Sequence, residues 1–172
     1  MPAPALPQRP DPGTGLDERI PYHPSWIWVY VCLYYPVILY TAWVIPDFRA
    51  FAYLAASYLV LLAMQMACFL LFPVETPERW RVAEPRGRSE RLLAFVHSFD
   101  RRSNCFPSMH VSVAVLTAYH LQSSPLGPWV WAFPVLIAVS CLFTKQHYLA
   151  DLPPGALVGW LAWKAYLWMV MP

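Results

Sequence analysis

The segment FAYLAASYLVLLAMQMACFLLF runs from Phe51 to Phe72 and contains no charged residue. As an α-helix rising 1.5 Å per residue, it is long enough to cross the ~30 Å hydrocarbon core of a bilayer. A second apolar run, Trp26 to Ile45, meets the same criterion. We therefore predict that both segments span a membrane.

The composition of the whole chain agrees with this prediction. Of 172 residues, 58% are hydrophobic and only 13% are charged, whereas a soluble domain of this size carries about 25% charged residues. This excludes an ordinary soluble domain. The net charge of +2 gives no reason to expect a nucleic-acid partner, and the four cysteines do not form the pattern of a disulfide framework.

Three shorter apolar runs follow the first two: Pro107 to Leu121, Trp129 to Phe143 and Gly155 to Met171. We predict an all-α, polytopic membrane helical bundle of about five transmembrane helices. A short interfacial helix is expected in RLLAFVHSF, residues 91–99, because this piece is amphipathic. Residues 1–24 are rich in proline and are expected to form a disordered tail, which leaves residues 25–172 as the transmembrane catalytic domain.

Three polar segments should meet at one face of the membrane if the helices alternate in direction. They are FPVETPERW (72–80), CFPSMH (105–110) and SCLFTKQHYLAD (140–151). Ionisable groups near lipid are energetically expensive and by default mark a functional site. The three segments are therefore the candidate site.

The residue types in these segments suit phosphoryl transfer. Ser108 is a good N-cap, and the free N–H groups at that helix start form an anion site, to which Arg79 adds a bidentate clamp. His147 and Asp151 are four residues apart, so one helical turn places them side by side. The aspartate would fix the imidazole tautomer and leave its other nitrogen free as a nucleophile. His110 would then protonate the leaving alkoxide, giving a phosphohistidine route without a metal or other cofactor.

Other interpretations of the same residues remain open at this point. Ser108 and Asp151 would also fit a purely structural role as helix N-caps, because Ser and Asp are preferred at that position. His110 or His120, together with His147, would suit the axial positions of a membrane haem. A set of two histidines and an aspartate would also bind a metal such as zinc or iron. A non-catalytic membrane scaffold is the last alternative.

The motif PSMH (107–110), followed by HYLAD (147–151), resembles the second and third signatures of the type 2 phosphatidic acid phosphatase (PAP2) superfamily. The fuller string NCFPSMH…HYLAD most resembles its inositol phosphorylceramide synthase and sphingomyelin synthase-like branch. The resemblance implies a nucleophile, its orienting carboxylate and a general acid: His147, Asp151 and His110. It also implies phosphate-binding groups: Arg79, Ser108 and the backbone N–H of Met109.

The chain departs from the family pattern at three positions. Phe72 stands where the first signature has a lysine, Trp80 where it has a proline, and Cys141 where the third signature has an arginine. The phosphate would thus lose two of its usual cations. We expect substitutes among the neighbouring basic residues: Lys145, Arg101 or Arg102.

The resemblance also implies the substrate class and the location. The substrate would be a phospholipid, a sphingolipid or a polyprenyl phosphate, and the enzyme would lie in the plasma membrane, the inner membrane of a bacterium. The arginine-rich connection from Pro73 to Phe106 places the active face in the cytoplasm by the positive-inside rule, whereas the family implies the external face. We predict the external face on the strength of the resemblance.

Overall fold

The computed structural model describes residues 15–74, 85–99 and 104–171, and within these ranges all regular structure is helical. The predicted all-α class is confirmed. Single 3₁₀ turns cover Pro24–Trp26, Gly127–Trp131 and Leu149–Asp151. The α-helices are α1 (Gly15–Arg19), α2 (Ile27–Val44), α3 (Phe48–Leu71), α4 (Arg88–Phe99), α5 (Met109–Leu121), α6 (Ala132–Phe143) and α7 (Leu152–Val170).

Two of the described helices are long and apolar enough to cross a membrane. They are the 21 residues Pro24–Val44, which include the 3₁₀ turn before α2, and the 24 residues Phe48–Leu71 of α3. The two are joined by a tight turn in which the carboxylate of Asp47 accepts a hydrogen bond from Ala50 N–H at 2.8 Å. The three shorter predicted spans coincide with α5, α6 and α7, while the number of membrane crossings stays a prediction.

Helix α5 lies at the centre of the bundle and packs against α2, α3, α6 and α7. Nine of its residues are buried, including the polar Ser112 and Thr117. Its side chain Leu116 joins Ile137 of α6 and Ala162 of α7 in the main apolar core. Such burial on all sides explains why the sequence of α5 shows no polar face.

Two glycines allow α7 to lie directly against α5. A Cβ atom at Gly155 would lie 2.5 Å from the carbonyl oxygen of Ser108, and one at Gly159 would crowd the carbonyl of Ser112 in the same way. Small residues four positions apart are the usual means by which membrane helices bring their backbones together. The start of α7 is therefore held beside the start of α5.

Helix α4 includes the segment predicted as an interfacial helix, and it packs against the start of α2. Leu93 is fully buried with Ile27 and Tyr30, and the indole N–H of Trp28 donates to the hydroxyl of Ser89 at 3.0 Å. The predicted helix is thus present, and its position along the membrane surface stays a prediction.

The sequence predicts a disordered tail in residues 1–24, and the structure differs from this prediction in residues 15–24. Residues 15–24 contain α1 and bury Asp17. The Lys145 ammonium donates to the carbonyls of Asp17 and Ile20, each at 2.7 Å, and Leu149 N–H donates to the Asp17 carboxylate at 2.7 Å. These contacts hold the segment in place despite its proline content. Residues 1–14 lie outside the described part of the chain.

Candidate active site

Helix ends bring the candidate catalytic groups together at one end of the bundle. His110 is the second residue of α5, His147 lies in the connection between α6 and α7, and Asp151 ends the 3₁₀ turn that leads into α7. A backbone hydrogen bond from Ser108 N–H to the Asp151 carbonyl, 3.0 Å long, joins the two helix starts. The predicted meeting of the second and third polar segments is thus present in the structure.

Four side chains from three parts of the fold form a continuous hydrogen-bonded row. Tyr30 Oη lies 2.6 Å from His110 Nε2, and His110 Nδ1 lies 3.0 Å from His147 Nε2. His147 Nδ1 in turn lies 3.3 Å from Asp151 Oδ2. Tyr30 is 4% exposed, His147 is 7% exposed and Asp151 is fully buried, so both ends of the row lie in the protein interior.

The row has one consistent arrangement of protons when both imidazoles are neutral. An ionised carboxylate only accepts hydrogen bonds, so His147 Nδ1 carries the proton that faces Asp151. His147 Nε2 is then an acceptor, and His110 Nδ1 must donate to it. His110 Nε2 is left as an acceptor for the hydroxyl of Tyr30. The unprotonated nitrogen of His147 is therefore Nε2, and it accepts a hydrogen bond from Nδ1–H of His110.

The carboxylate of Asp151 does not act as the cap of α7. Although Asp151 occupies the N-cap position, its side chain makes no capping hydrogen bond there. Its Oδ2 atom accepts instead from Tyr148 N–H at 2.9 Å, beside the contact with His147. The carboxylate therefore takes part in the capping box of the 3₁₀ turn Leu149–Asp151 instead of capping α7, and the same oxygen lies against the imidazole of His147.

The ring of His110 packs against two aromatic side chains of α2. Tyr30 and Tyr34 are one helical turn apart and stack on each other with ring centroids 5.5 Å apart. Both contact the His110 ring edge to face, at centroid distances of 5.0 and 5.6 Å. These contacts restrict the orientation of the imidazole.

Ser108 lies at the start of α5, as predicted for the anion site, and is completely buried. Its hydroxyl accepts a hydrogen bond from Val111 N–H at 3.4 Å, which is a capping contact. The amide of Gln65 on α3 donates to the Pro107 carbonyl at 2.6 Å and so supports the same turn. The following residue, Met109, is exposed. That Ser108 and the N–H of Met109 hold phosphate stays a prediction.

The chain before this turn is anchored to the end of α3 by Asn104. Its side-chain oxygen accepts from the N–H groups of Val74 and Phe106, both at 3.1 Å. Its amide nitrogen donates to the carbonyls of Phe69 and Phe72 at 2.9 and 3.0 Å. Asn104 thus fixes the path of the segment that delivers Ser108 and His110.

The predicted phosphate-binding cations are only partly within the described structure. Arg79, Arg101 and Arg102 lie outside the described residues. Lys145 adopts a left-handed backbone with a φ of 57°, and the carbonyls of Asp17 and Ile20 take up two of its donors. Burial lowers the pKa of Lys145, and the nearby Asp17 opposes this shift. Phosphate binding by Lys145 stays a prediction.

The residues named in the haem and metal alternatives fall in two separate places. His120 lies in another cluster, with its Nε2 2.9 Å from the hydroxyl of Ser57 and its ring against Tyr166. Near the hydrogen-bonded row, one potential ligand atom from each of His110, Cys141 and His147 lies within 4.8 Å of the others. The donor set that the fold brings together therefore contains the Cys141 thiol in place of the predicted aspartate.

Sequence reasoning did not identify Tyr30, Gln65 or Cys141 as parts of this site. The sequence did indicate a role for Gln65, because a lone amide within a long apolar run is costly unless it is hydrogen-bonded. The pair Gly155 and Gly159 also had a usable signal, the four-residue spacing of small residues. Tyr30 carried no local signal, because it lies inside an apolar helix, and Cys141 was singled out only as the replacement for a family arginine.

Comparison with known proteins agrees with the resemblance seen in the motifs. A family model described as PAP2 superfamily matches residues 15–165, a span that contains the whole row from Tyr30 to Asp151. No curated protein and no solved structure gives a significant match. Because the family match covers most of the 172 residues and includes the hydrogen-bonded histidines, the chain belongs to the PAP2 superfamily.

Proposed function

We propose that this chain is an integral-membrane lipid phosphatase or phosphotransferase that works through a phosphohistidine on His147. The observation that supports this best is the row Asp151–His147–His110, in which a buried carboxylate orients one imidazole and a second imidazole faces its free nitrogen. PAP2 superfamily members generally act as phosphatases or phosphotransferases. The arrangement also needs no metal for the steps that follow.

The first chemical step transfers the phosphoryl group to the protein. Nε2 of His147 attacks phosphorus, the P–N bond forms and the P–O bond to the lipid breaks. Asp151 stabilises the imidazolium that results, as an orienting carboxylate does in other triads. His110 gives its Nδ1 proton to the leaving alkoxide. Since the two rings are 3.0 Å apart at rest, the headgroup must replace their direct hydrogen bond as it enters.

The second step releases the phosphoryl group. A water molecule or an alcohol attacks the phosphohistidine, and His110, now lacking its Nδ1 proton, accepts the proton of the attacking hydroxyl. The P–N bond breaks and His147 returns to its starting form. Hydrolysis and headgroup transfer therefore use the same residues, and the acceptor decides between them. The motif resemblance to inositol phosphorylceramide synthases and sphingomyelin synthases favours transfer to a lipid alcohol.

Phosphate would be held mainly by the start of α5. The N–H of Met109 lies at the positive end of that helix, where anions bind favourably. Ser108 keeps the turn in shape, and Arg79 and Lys145 would add charge. With Phe72 and Cys141 in place of two family cations, phosphate alone should bind weakly. Most of the binding energy would then come from the lipid chain.

The substrate would be a phospholipid, a sphingolipid or a polyprenyl phosphate reached from within the membrane. Two apolar helices and the family membership support a membrane protein. We place it in the plasma membrane, which is the inner membrane in bacteria, with the site facing outward. The aromatic ring of Trp43 and the side chain of Leu70 are among the exposed apolar groups that would face lipid.

The test combines a substrate panel with phosphoenzyme trapping. Phosphatidic acid, lysophosphatidic acid and undecaprenyl pyrophosphate are assayed for phosphate release, and ceramide with phosphatidylinositol is assayed for transfer. We expect turnover of at least one substrate and an acid-labile phosphoenzyme that His147→Ala abolishes. His23→Ala, at an exposed histidine, is the control and should retain both signals. Full activity of His147→Ala would disprove the covalent mechanism.

A further inference from the structure

We infer that His110, Cys141 and His147 form a binding site for a borderline divalent cation of the Zn²⁺ type. One potential ligand atom from each side chain lies within 4.8 Å of the others. Cys141 is fully buried and His147 nearly so. Two imidazoles and a thiolate are a donor set that zinc sites use, with a fourth position left for water or substrate.

Each imidazole has one nitrogen that is hydrogen-bonded to an outer partner, so its other nitrogen is the one that would bind the ion. Nδ1 of His147 is engaged by Asp151, and Nε2 of His110 is engaged by Tyr30. The remaining two nitrogens face each other across 3.0 Å. Metal-binding histidines almost always have such an outer partner on the second nitrogen, most often a carboxylate. Both rings in this site have one.

The charges and protons balance when the ion enters. The Cys141 thiol releases its proton to solvent and binds as a thiolate. The Nδ1 proton of His110 moves to Nε2, where it donates to the oxygen of Tyr30, whose hydroxyl changes from donor to acceptor. The two positive charges of the ion are then opposed by the thiolate and by the Asp151 carboxylate. This neutralisation matters because an uncompensated charge in a buried site is strongly unfavourable.

The ligand types also select the class of ion. Imidazole and thiolate favour zinc, cobalt and copper, whereas magnesium and calcium require oxygen ligands. Cys141 is the residue that stands where the third signature of the family has an arginine. The substitution therefore removes a phosphate-binding cation and supplies a metal ligand at the same place.

Occupancy of this site would inhibit the enzyme. The ion takes the lone pair of His147 Nε2, which is the nucleophile in the proposed mechanism, so the ion and the phosphoryl substrate compete. This consequence rests on the proposed function, whereas binding of the ion does not. Zn²⁺ would thus act as a reversible inhibitor whose affinity depends on Cys141, the residue that replaces the arginine of the third family signature.

The direct test is titration of the metal-free, detergent-purified full chain with Co²⁺. We expect intense visible bands of a four-coordinate site and a near-ultraviolet thiolate-to-cobalt charge-transfer band, both removed by Zn²⁺. Cys141→Ser should lose the charge-transfer band and bind Co²⁺ at least about tenfold more weakly. Cys105→Ser, at another buried cysteine, is the matched control and should leave the spectrum unchanged. A charge-transfer band that survives in Cys141→Ser would overturn the proposal.

A second variant keeps the test informative if Cys141→Ser does not fold. Tyr30→Phe removes the outer partner of His110 without touching a ligand, and we expect Co²⁺ affinity to fall about 10-fold or more. Weak bands typical of six-coordinate cobalt in the unsubstituted chain would overturn the site outright.

An activity measurement separates this proposal from the proposed function. Zn²⁺ inhibition is measured for each variant against its own metal-free rate, and Cys141→Ser should require at least about tenfold more Zn²⁺. A chain that forms the phosphoenzyme but shows no cobalt–thiolate spectrum would disprove the metal site alone. A chain with that spectrum but no phosphoenzyme would disprove the proposed function alone.

Discussion

The hydroxyl of Tyr30 lies 2.6 Å from Nε2 of His110, across 80 residues of sequence. This contact joins the first long helix to the acid of the proposed reaction. As long as the tyrosine donates to Nε2, the proton of the neutral imidazole stays on Nδ1, the nitrogen that faces His147. Tyr30 is therefore a positioning residue: it acts on the substrate through His110.

The first prediction concerns Tyr30→Phe. Loss of the hydroxyl frees the imidazole to adopt the other tautomer, and we expect kcat to fall about tenfold with KM little changed, as for loss of one hydrogen bond worth ~1.4 kcal/mol. The loss should be large for lipid phosphates and small for nitrophenyl phosphates, whose leaving group needs little protonation. Tyr35→Phe, at an exposed tyrosine of the same helix, is the control. Equal losses on both substrate types would contradict the role given to Tyr30.

The second prediction concerns Asp151→Asn. The amide still accepts a hydrogen bond but no longer fixes the tautomer of His147 or stabilises its positive charge, so turnover should fall about 10²-fold or more. The protein should still fold, as judged by thermal unfolding. Asp47→Asn, at the true N-cap of α3, is the matched control and should be nearly silent, because asparagine is an equally good cap. A silent Asp151→Asn would restore the capping interpretation.

The third prediction concerns the contact between α7 and α5. In Gly155→Ala the new methyl group would lie 2.5 Å from the Ser108 carbonyl, so the two helices must separate. Overpacking of this kind costs about 1–3 kcal/mol of folding free energy. Activity should fall as well, since Ser108 and Asp151 are joined across the same contact. Gly87→Ala, where nothing lies within 4 Å of the new Cβ, should change neither the folding free energy nor the activity. A Gly155→Ala protein with unchanged stability and activity would refute the close contact between α5 and α7.

The fourth prediction uses the ionisation of Lys145. Burial lowers its folded-state pKa below the ordinary 10.5, so the unfolded chain holds the extra proton between the two pKa values. In that window the contribution of Lys145 to stability rises with pH. The unfolding temperature of the unsubstituted chain, minus that of Lys145→Gln, should therefore increase as pH approaches 10.5 from below. A difference that decreases as pH rises would contradict a lowered pKa of Lys145 in the folded state.

The fifth prediction concerns the orientation in the membrane. A single cysteine is placed at the exposed Gly87 in a variant that lacks the four native cysteines. With the site on the external face, an impermeant maleimide should label this cysteine in intact cells. Activity of the cysteine-free parent serves as the control for folding. Labelling only after lysis would place the arginine-rich connection in the cytoplasm, as the positive-inside rule favours.

The features that depend on local spacing could be predicted from the sequence. Uninterrupted apolar runs become helices because the backbone must satisfy its own hydrogen bonds in lipid. Asp151 reaches the imidazole of His147 because the residues are four apart along a turning chain. Ser108 begins α5 because its hydroxyl caps the free N–H groups there. Each of these outcomes involves residues close together in the chain.

Which distant side chains join the hydrogen-bonded row depends on how the helices pack and could not be predicted from the sequence. Helix α2 is apolar all round, so nothing in its sequence indicates that the face carrying Tyr30 turns towards His110. For Cys141 on α6, the motif comparison shows only that it replaces an arginine, and the structure shows that its thiol lies near His110 and His147. Asp17 and Lys145 meet across 128 residues, from a segment whose composition predicted disorder. Rotation and close approach of helices follow from packing at positions such as Gly155 and Gly159, and packing is a property of the assembled bundle.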